Sequence, residues 1–189
     1  MNVLLLGPHS PVVEDAIRGA GDVVTRTEDP ICRGDAILSD TDFIVSYGFR
    51  HIIPADVLER FGQRAVNLHI SLLPWNRGAD PNLWSFLENT PKGVTIHVLD
   101  AGIDTGPILL QRSVVPTRGD TLRTSYERLN QEIASLFADN WSQLRECRVT
   151  PVAQAGPGTS HRSGDKQQYM HLLTDGWDTP VAGLVGRAL

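Results

Sequence analysis

The chain has 189 residues, 41% hydrophobic and 21% charged, which suits one soluble globular domain with a substantial core. A net charge of -5, with no basic block, argues against a nucleic-acid partner or an anionic membrane surface. Cys32 and Cys147 lack CxxC or metal-type spacing and read as reduced thiols of a cytoplasmic protein.

The opening aliphatic run, residues 2–6, reads as a buried strand. It is too short for a signal peptide, lacks a basic start and ends at Gly7. Residues 11–19 read as a helix, with Pro11 near its start and Gly19 at its end. A second strand follows at 22–25, a short helix at 31–38, and a third strand at 42–47 that ends at Gly48. Pro54 opens a helix over 54–61. A strand over 64–70 then carries Asn67 and His69. After a loop over 71–78, a helix spans 80–87, with Asp80 as N-cap and Pro81 at the first position.

Two strands, 93–99 and 108–115, flank a tight loop, and one long helix runs over 120–145. In that helix Leu122, Tyr126, Leu129, Ile133, Leu136, Phe137 and Trp141 recur at helical spacing and read as core. The tail holds a loop over 155–159 and short helices over 169–173 and 181–189. Alternating βα units predict an α/β fold, with a mostly parallel sheet covered by helices on both faces. Residues 1–150 form the expected catalytic domain; 151–189 form a short C-terminal extension, too small for a core of its own. No stretch is long enough to span a bilayer.

The chemistry concentrates in three side chains. Asn67 and His69 lie two apart in one strand, so both leave the same face. Pro74 and Gly78 break the chain just beyond, which puts the pair where a strand opens into a loop. Asp104 sits between glycines in Gly102-Ile103-Asp104-Thr105-Gly106. Imidazole can take a proton near neutral pH, an amide can donate to a developing oxyanion, and a carboxylate can orient the imidazolium. That set suits attack of an amine on an acyl carbon. No cluster has metal-ligand spacing, so no metal is expected.

The stretch from Asn67-Leu68-His69-Ile70-Ser71-Leu72-Leu73-Pro74-Trp75-Asn76-Arg77-Gly78, through Gly93-Val94-Thr95-Ile96-His97, to the Asp104 loop resembles the 10-formyltetrahydrofolate-dependent N-formyltransferases. Within that family it is most similar to small amino-sugar formyltransferases and to the formylation domains of peptide synthetases. The resemblance implies a Rossmann-like domain and formyl transfer from 10-formyltetrahydrofolate to a primary amine. By position Asn67, His69 and Asp104 match the catalytic residues.

Tyr47, Gly48, Phe49, Ile52 and Ile53 match the part that encloses the pterin, and Leu99, Asp100, Gly102 and Ile103 match the loop edging that pocket. Ser71, Trp75, Asn76, Arg77 and Asp80 are the expected substrate contacts. The expected acceptor is a nucleotide-linked amino sugar. Three alternatives stay open: an aminoacyl group on a carrier protein or a free amine, hydrolysis of formyltetrahydrofolate, and a non-catalytic binding protein. A homodimer is one assembly that the resemblance allows.

The first turn, Gly7-Pro8-His9-Ser10, places a proline where related ribonucleotide enzymes have a phosphate-cradling glycine loop, so phosphoribosyl binding is not expected there. The transfer-RNA enzymes of the family carry a large C-terminal domain, which this acidic chain with its short tail does not match, so transfer RNA is not expected. Among the remaining polar and aromatic residues, His97 reads as a sheet-face residue and Trp84 as buried. His51 is placed near the cofactor or facing water, and His9 in a turn or near the acceptor. His161, Arg162 and Tyr169 are candidates to close the acceptor site, against a default of solvated surface.

Overall fold

The structure, a computed structural model, describes residues 1–189. Six strands form one sheet: β1 (Asn2–Leu6), β2 (Val23–Thr27), β3 (Phe43–Tyr47), β4 (Ala65–His69), β6 (Gly93–Val98) and β7 (Ile108–Ser113), in the order β2-β1-β3-β4-β6-β7. The first four run parallel, and β6 and β7 add as antiparallel strands. A second, two-stranded pairing joins β5 (Arg77–Gly78) to β8 (Ser160–His161).

Helices cover both faces. α1 (Pro11–Gly19) begins on Pro11, whose fixed φ suits a first helical position, and turns Val13 and Ile17 inward. α4 (Leu122–Arg145) starts with a reciprocal cap: Thr121 Oγ1 accepts from the Thr124 N–H, and the Thr121 N–H donates to Thr124 Oγ1 at 2.9 Å. Together α1 and α4 bury Val3, Leu5, Val45, Val66 and Leu68 on one sheet face. α2 (Ala55–Phe61) closes the other face over Leu4, Leu6, Ile44 and Ala65. Each such Leu, Ile or Phe contributes about 1.5–3 kcal/mol on full burial. No helix is long and apolar enough to cross a membrane.

Several elements differ from expectation. The region 31–38 forms only a 3-10 turn, Ala36–Leu38, because the polar residues between its two buried ends, Ile31 and Leu38, give no continuous apolar face. Tyr126 lies on the helical stripe yet is 41% exposed, with its ring edge-on to Trp177 rather than packed in the core. Asp80 is the N-cap of α3 (Pro81–Leu87), and its carbonyl accepts the first helical bond, but at φ 54 its side chain makes no capping bond; the carboxylate pairs with Lys166 at 2.9 Å instead. In the tail, Asp165–Leu172 is 3-10, and only Val181–Gly183 of the last segment is helical.

The tail adds no separate layer. Val181 and Leu184 pack into a third cluster with Leu83, Trp84, Phe86, Leu87 and Leu122. Val152 exchanges two backbone hydrogen bonds with Ile108, both 2.8 Å.

Candidate active site

β4 alternates as a strand must. Val66 and Leu68 bury against α4, while Ala65, Asn67 and His69 face the other side. Antiparallel pairing with β6 sets His97 directly opposite Asn67 and Thr95 opposite His69. Asp104 arrives from the loop between β6 and β7 with φ 53, in the left-handed region that polar side chains tolerate best. Gly106 lets that loop close tightly: a Cβ there would lie 1.8 Å from the Val98 carbonyl oxygen.

The three side chains meet. Asn67 Nδ2 donates to Asp104 Oδ1 at 3.0 Å and reaches His97 Nε2 at 3.3 Å. The Gly78 N–H donates to Asp104 Oδ2 at 2.8 Å, and His69 Nδ1 lies 3.6 Å from that same oxygen. His69 Nε2 is 3.1 Å from the Asn76 carbonyl oxygen. A carbonyl can only accept, so Nε2 carries the proton and Nδ1 the lone pair in the neutral ring. The same argument fixes His97, whose Nδ1 donates to the Val98 carbonyl at 2.9 Å. Its Nε2 presents a lone pair to Asn67 when the ring is neutral, and donates to Asp104 Oδ1, 3.3 Å away, when it is protonated.

The electrostatics follow from burial. His69 is only 7% exposed, and loss of hydration holds its pKa below the ordinary histidine value, with Asp104 pulling the other way. Burial pushes Asp104 upward. The charge of His69, the His97 contact and the Gly78 N–H outweigh it and hold the carboxyl well below the usual range. The site therefore keeps a neutral imidazole beside a fixed carboxylate.

One cavity of about 1190 Å³ surrounds these groups. Its first arm is lined by Tyr47, Gly48, Phe49, His51, Ile52 and Ile53, and by Leu99, Asp100, Gly102, Ile103 across from them. Tyr47, raised by burial and so kept as a neutral phenol, donates to Asn130 Oδ1 at 2.6 Å. The second arm is lined by Ala79 to Leu83, Tyr126, Asn130, His161, Arg162, Ser163, Lys166 and Trp177. Asn67, His69 and Asp104 line the same cavity.

Four of the expected substrate contacts are scaffold instead. Ser71 donates to the Trp75 carbonyl at 2.7 Å, and Trp75 lies outside the cavity lining. Asn76 is fully buried, where its Oδ1 accepts from Thr90 Oγ1 at 2.7 Å. Arg77 forks onto Gln154 Oε1 at 2.9 and 2.7 Å. Of the five expected contacts, only Asp80 lines the cavity. His9 pairs with Glu14 at 2.6 Å, also away from the cavity. Trp84 is buried beneath a stacked His161, centroids 3.7 Å apart, with Tyr169 against its edge.

Gln154 is a site residue that no motif signals. Its Nε2 donates to the carbonyls of Asp104 and Gly106, both at 2.8 Å, while its oxygen holds Arg77. It thereby ties the Asp104 loop to β5.

A family model described as formyl transferase matches residues 32–139. The chain is 37% identical to the methionyl-tRNA formyltransferase of Trichlorobacter lovleyi over 141 residues, 74% of this chain and 44% of that one. It is 29% identical to the dTDP-4-amino-4,6-dideoxyglucose formyltransferase of Mycobacterium bovis over 136 residues, 72% and 57% of the two chains. It spans about half the length of the curated relatives it matches. It is also similar, with TM-score 0.97 and 52% identity over 100% of both chains, to the formyltransferase PseJ from Anoxybacillus kamchatkensis. That crystal structure is a complex with UDP-4,6-dideoxy-4-formamido-L-AltNAc and tetrahydrofolate.

Proposed function

Because the chain belongs to the formyl transferase family, we propose that it moves a formyl group from 10-formyltetrahydrofolate to the primary amine of a nucleotide-linked amino sugar. The observation that carries this reading is the end-to-end likeness to PseJ, whose bound product is a UDP-linked formamido sugar. The geometry is consistent with it: an acyl-transfer set of side chains lines one large cavity.

The first arm suits a folate. It offers a mainly apolar slot, from Phe49, Ile52, Ile53 and Leu58, edged by loop backbone around Leu99 to Ile103. A flat ring with polar edges needs that mixture. In this reading His69 Nδ1 takes a proton from the attacking amine. The imidazolium so formed lies 3.6 Å from Asp104 Oδ2, which stabilises it. Asn67 turns the N–H of its longer bond, the 3.3 Å one to His97, onto the formyl oxygen as negative charge develops there. The proton held by His69 then returns to the departing folate nitrogen, giving an N-formyl sugar and tetrahydrofolate. Positioning of the amine against the formyl carbon supplies much of the remaining rate.

The test is release of tetrahydrofolate, followed by absorbance, with UDP-linked amino sugars, other amines and no amine. Turnover is expected only with a nucleotide-linked amino sugar, and His69→Ala should lower it by roughly 10²–10⁴-fold. Turnover without any amine makes the protein a hydrolase. Turnover only with an aminoacyl carrier protein replaces the acceptor.

A further inference from the structure

Two large aromatic side chains stand unburied on the rim of the second arm. Trp177 is 52% exposed and Tyr126 is 41% exposed, with ring centroids 5.5 Å apart at 67°. Both line the cavity that holds His69 and Asp104. Neither is loosely held. Trp177 sits on the 3-10 turn Gly176–Asp178, clamped where Arg123 forks onto Asp178 at 2.8 and 3.2 Å. The Tyr126 carbonyl accepts from Asn130 Nδ2 at 2.7 Å, and Asn130 Oδ1 accepts from the Tyr47 hydroxyl at 2.6 Å. A three-residue chain thus joins this rim to the first arm.

Two basic residues from the tail, Arg162 and Lys166, line the same cavity, with Ser163. Lys166 is already paired with Asp80 at 2.9 Å, whereas the exposed Arg162 bonds only through its backbone, to Asp165, and leaves its guanidinium without a partner in the chain. The cavity, at about 1190 Å³, exceeds the roughly 300–1,000 Å³ typical of a site for one small molecule. It has room for two cosubstrates end to end.

An exposed aromatic pair, a guanidinium with no side-chain partner and the reacting centre line one cavity. That set matches the planar base, the diphosphate and the sugar amine of one acceptor. Base-on-aromatic stacking supplies affinity with little regard to base identity, and Arg matches phosphate oxygens in a planar fork. We infer that Trp177, backed by Tyr126, is the platform on which the nucleobase of the acceptor stacks, and that Arg162 receives its diphosphate. This rests on the nucleotide-linked acceptor proposed above. It assigns the 3-10 turn at the end of the chain a binding role rather than a bracing one.

Calorimetric titration with UDP, beside titration with tetrahydrofolate as a reference, tests it. Trp177→Ala should weaken UDP binding by about tenfold or more, and Trp177→Phe should keep most of it. Arg162→Ala should weaken UDP binding while leaving uridine binding, read by ligand-observed NMR, unchanged. Tetrahydrofolate affinity should be the same in all variants, which also shows that they fold. Equal UDP affinity in the wild type and Trp177→Ala overturns the platform and leaves the nucleotide-linked acceptor standing. A wild type that binds tetrahydrofolate but not UDP overturns both.

Discussion

The backbone carbonyl of Asn76 accepts a hydrogen bond from Nε2 of His69 at 3.1 Å, and this bond decides which nitrogen of the ring is the base. Asn76 holds that carbonyl in place through its own burial. Its side chain is gripped by Thr90 at 2.7 Å, with Glu88 and Thr159 each at 3.3 Å, and its φ of 57 is left-handed. Asn76→Ala removes those anchors and adds backbone strain; Asn76→Gly removes the anchors alone. We expect kcat to fall by about 10²-fold in Asn76→Ala, the scale set by small misplacements of reacting groups, and by less in Asn76→Gly. Nitrogen NMR of His69 should report an Nε2-protonated ring in the wild type and a mixture of tautomers in Asn76→Ala. A wild-type ring protonated on Nδ1 overturns the assignment.

The pH dependence follows from the same ring. Burial lowers the His69 pKa below its ordinary 6.5, so the neutral, proton-accepting form persists below that pH. The half-point of the acid limb of activity should therefore lie below pH 6.5. The Asp104 charge raises the His69 pKa, opposing burial. Asp104→Asn should move the acid limb lower still, and also reduce kcat, because the imidazolium loses its counter-charge. A kcat profile against pH for both proteins checks the sign. An acid limb that moves upward in the variant overturns this account.

What the sequence reveals about this site depends on distance along the chain. Asn67 and His69 share one strand, so a period of two places them together without any knowledge of the fold. Asp104 is marked by its flanking glycines and by the family resemblance. His97 is a different case. Its apolar strand reads as sheet interior, and only the antiparallel register of β4 with β6 brings it opposite Asn67. Asn76 lies inside the recognised motif, yet its burial depends on Glu88 and Thr90 from one later segment and Thr159 from the tail. Tyr126 follows the helical stripe faithfully, and what exposes it is the large cavity it lines. Periodicity along one element is local; register and element edges are not.

The loop glycines are legible for a steric reason that can be checked. A Cβ at Gly106 meets the Val98 carbonyl at 1.8 Å, a backbone atom that cannot swing aside. Gly106→Ala should destabilise the protein by about 1–3 kcal/mol, the usual cost of forcing atoms into packed space. It should also lower kcat, because the displaced loop carries Asp104. Chemical denaturation and steady-state kinetics on one variant measure both. Unchanged stability would mean that the loop has slack the structure does not show.

Gln154 provides the sharpest separation between holding the loop and holding β5. Its oxygen accepts from Arg77, while its nitrogen donates to the carbonyls of Asp104 and Gly106. Gln154→Glu keeps an acceptor for Arg77 but has no donor for the loop, so two part-buried carbonyls lose their partner. Each such loss costs about 1–3 kcal/mol where water cannot replace the bond. Gln154→Leu loses both functions. Both variants should lower kcat through a misplaced Asp104, and Gln154→Leu should be the less stable of the two, because Arg77 also loses its acceptor. Thermal unfolding ranks the pair, and the acid limb of the kcat profile reports on Asp104. A Gln154→Glu enzyme with wild-type kcat and an unmoved acid limb would show that the Asp104 loop stands without the tail.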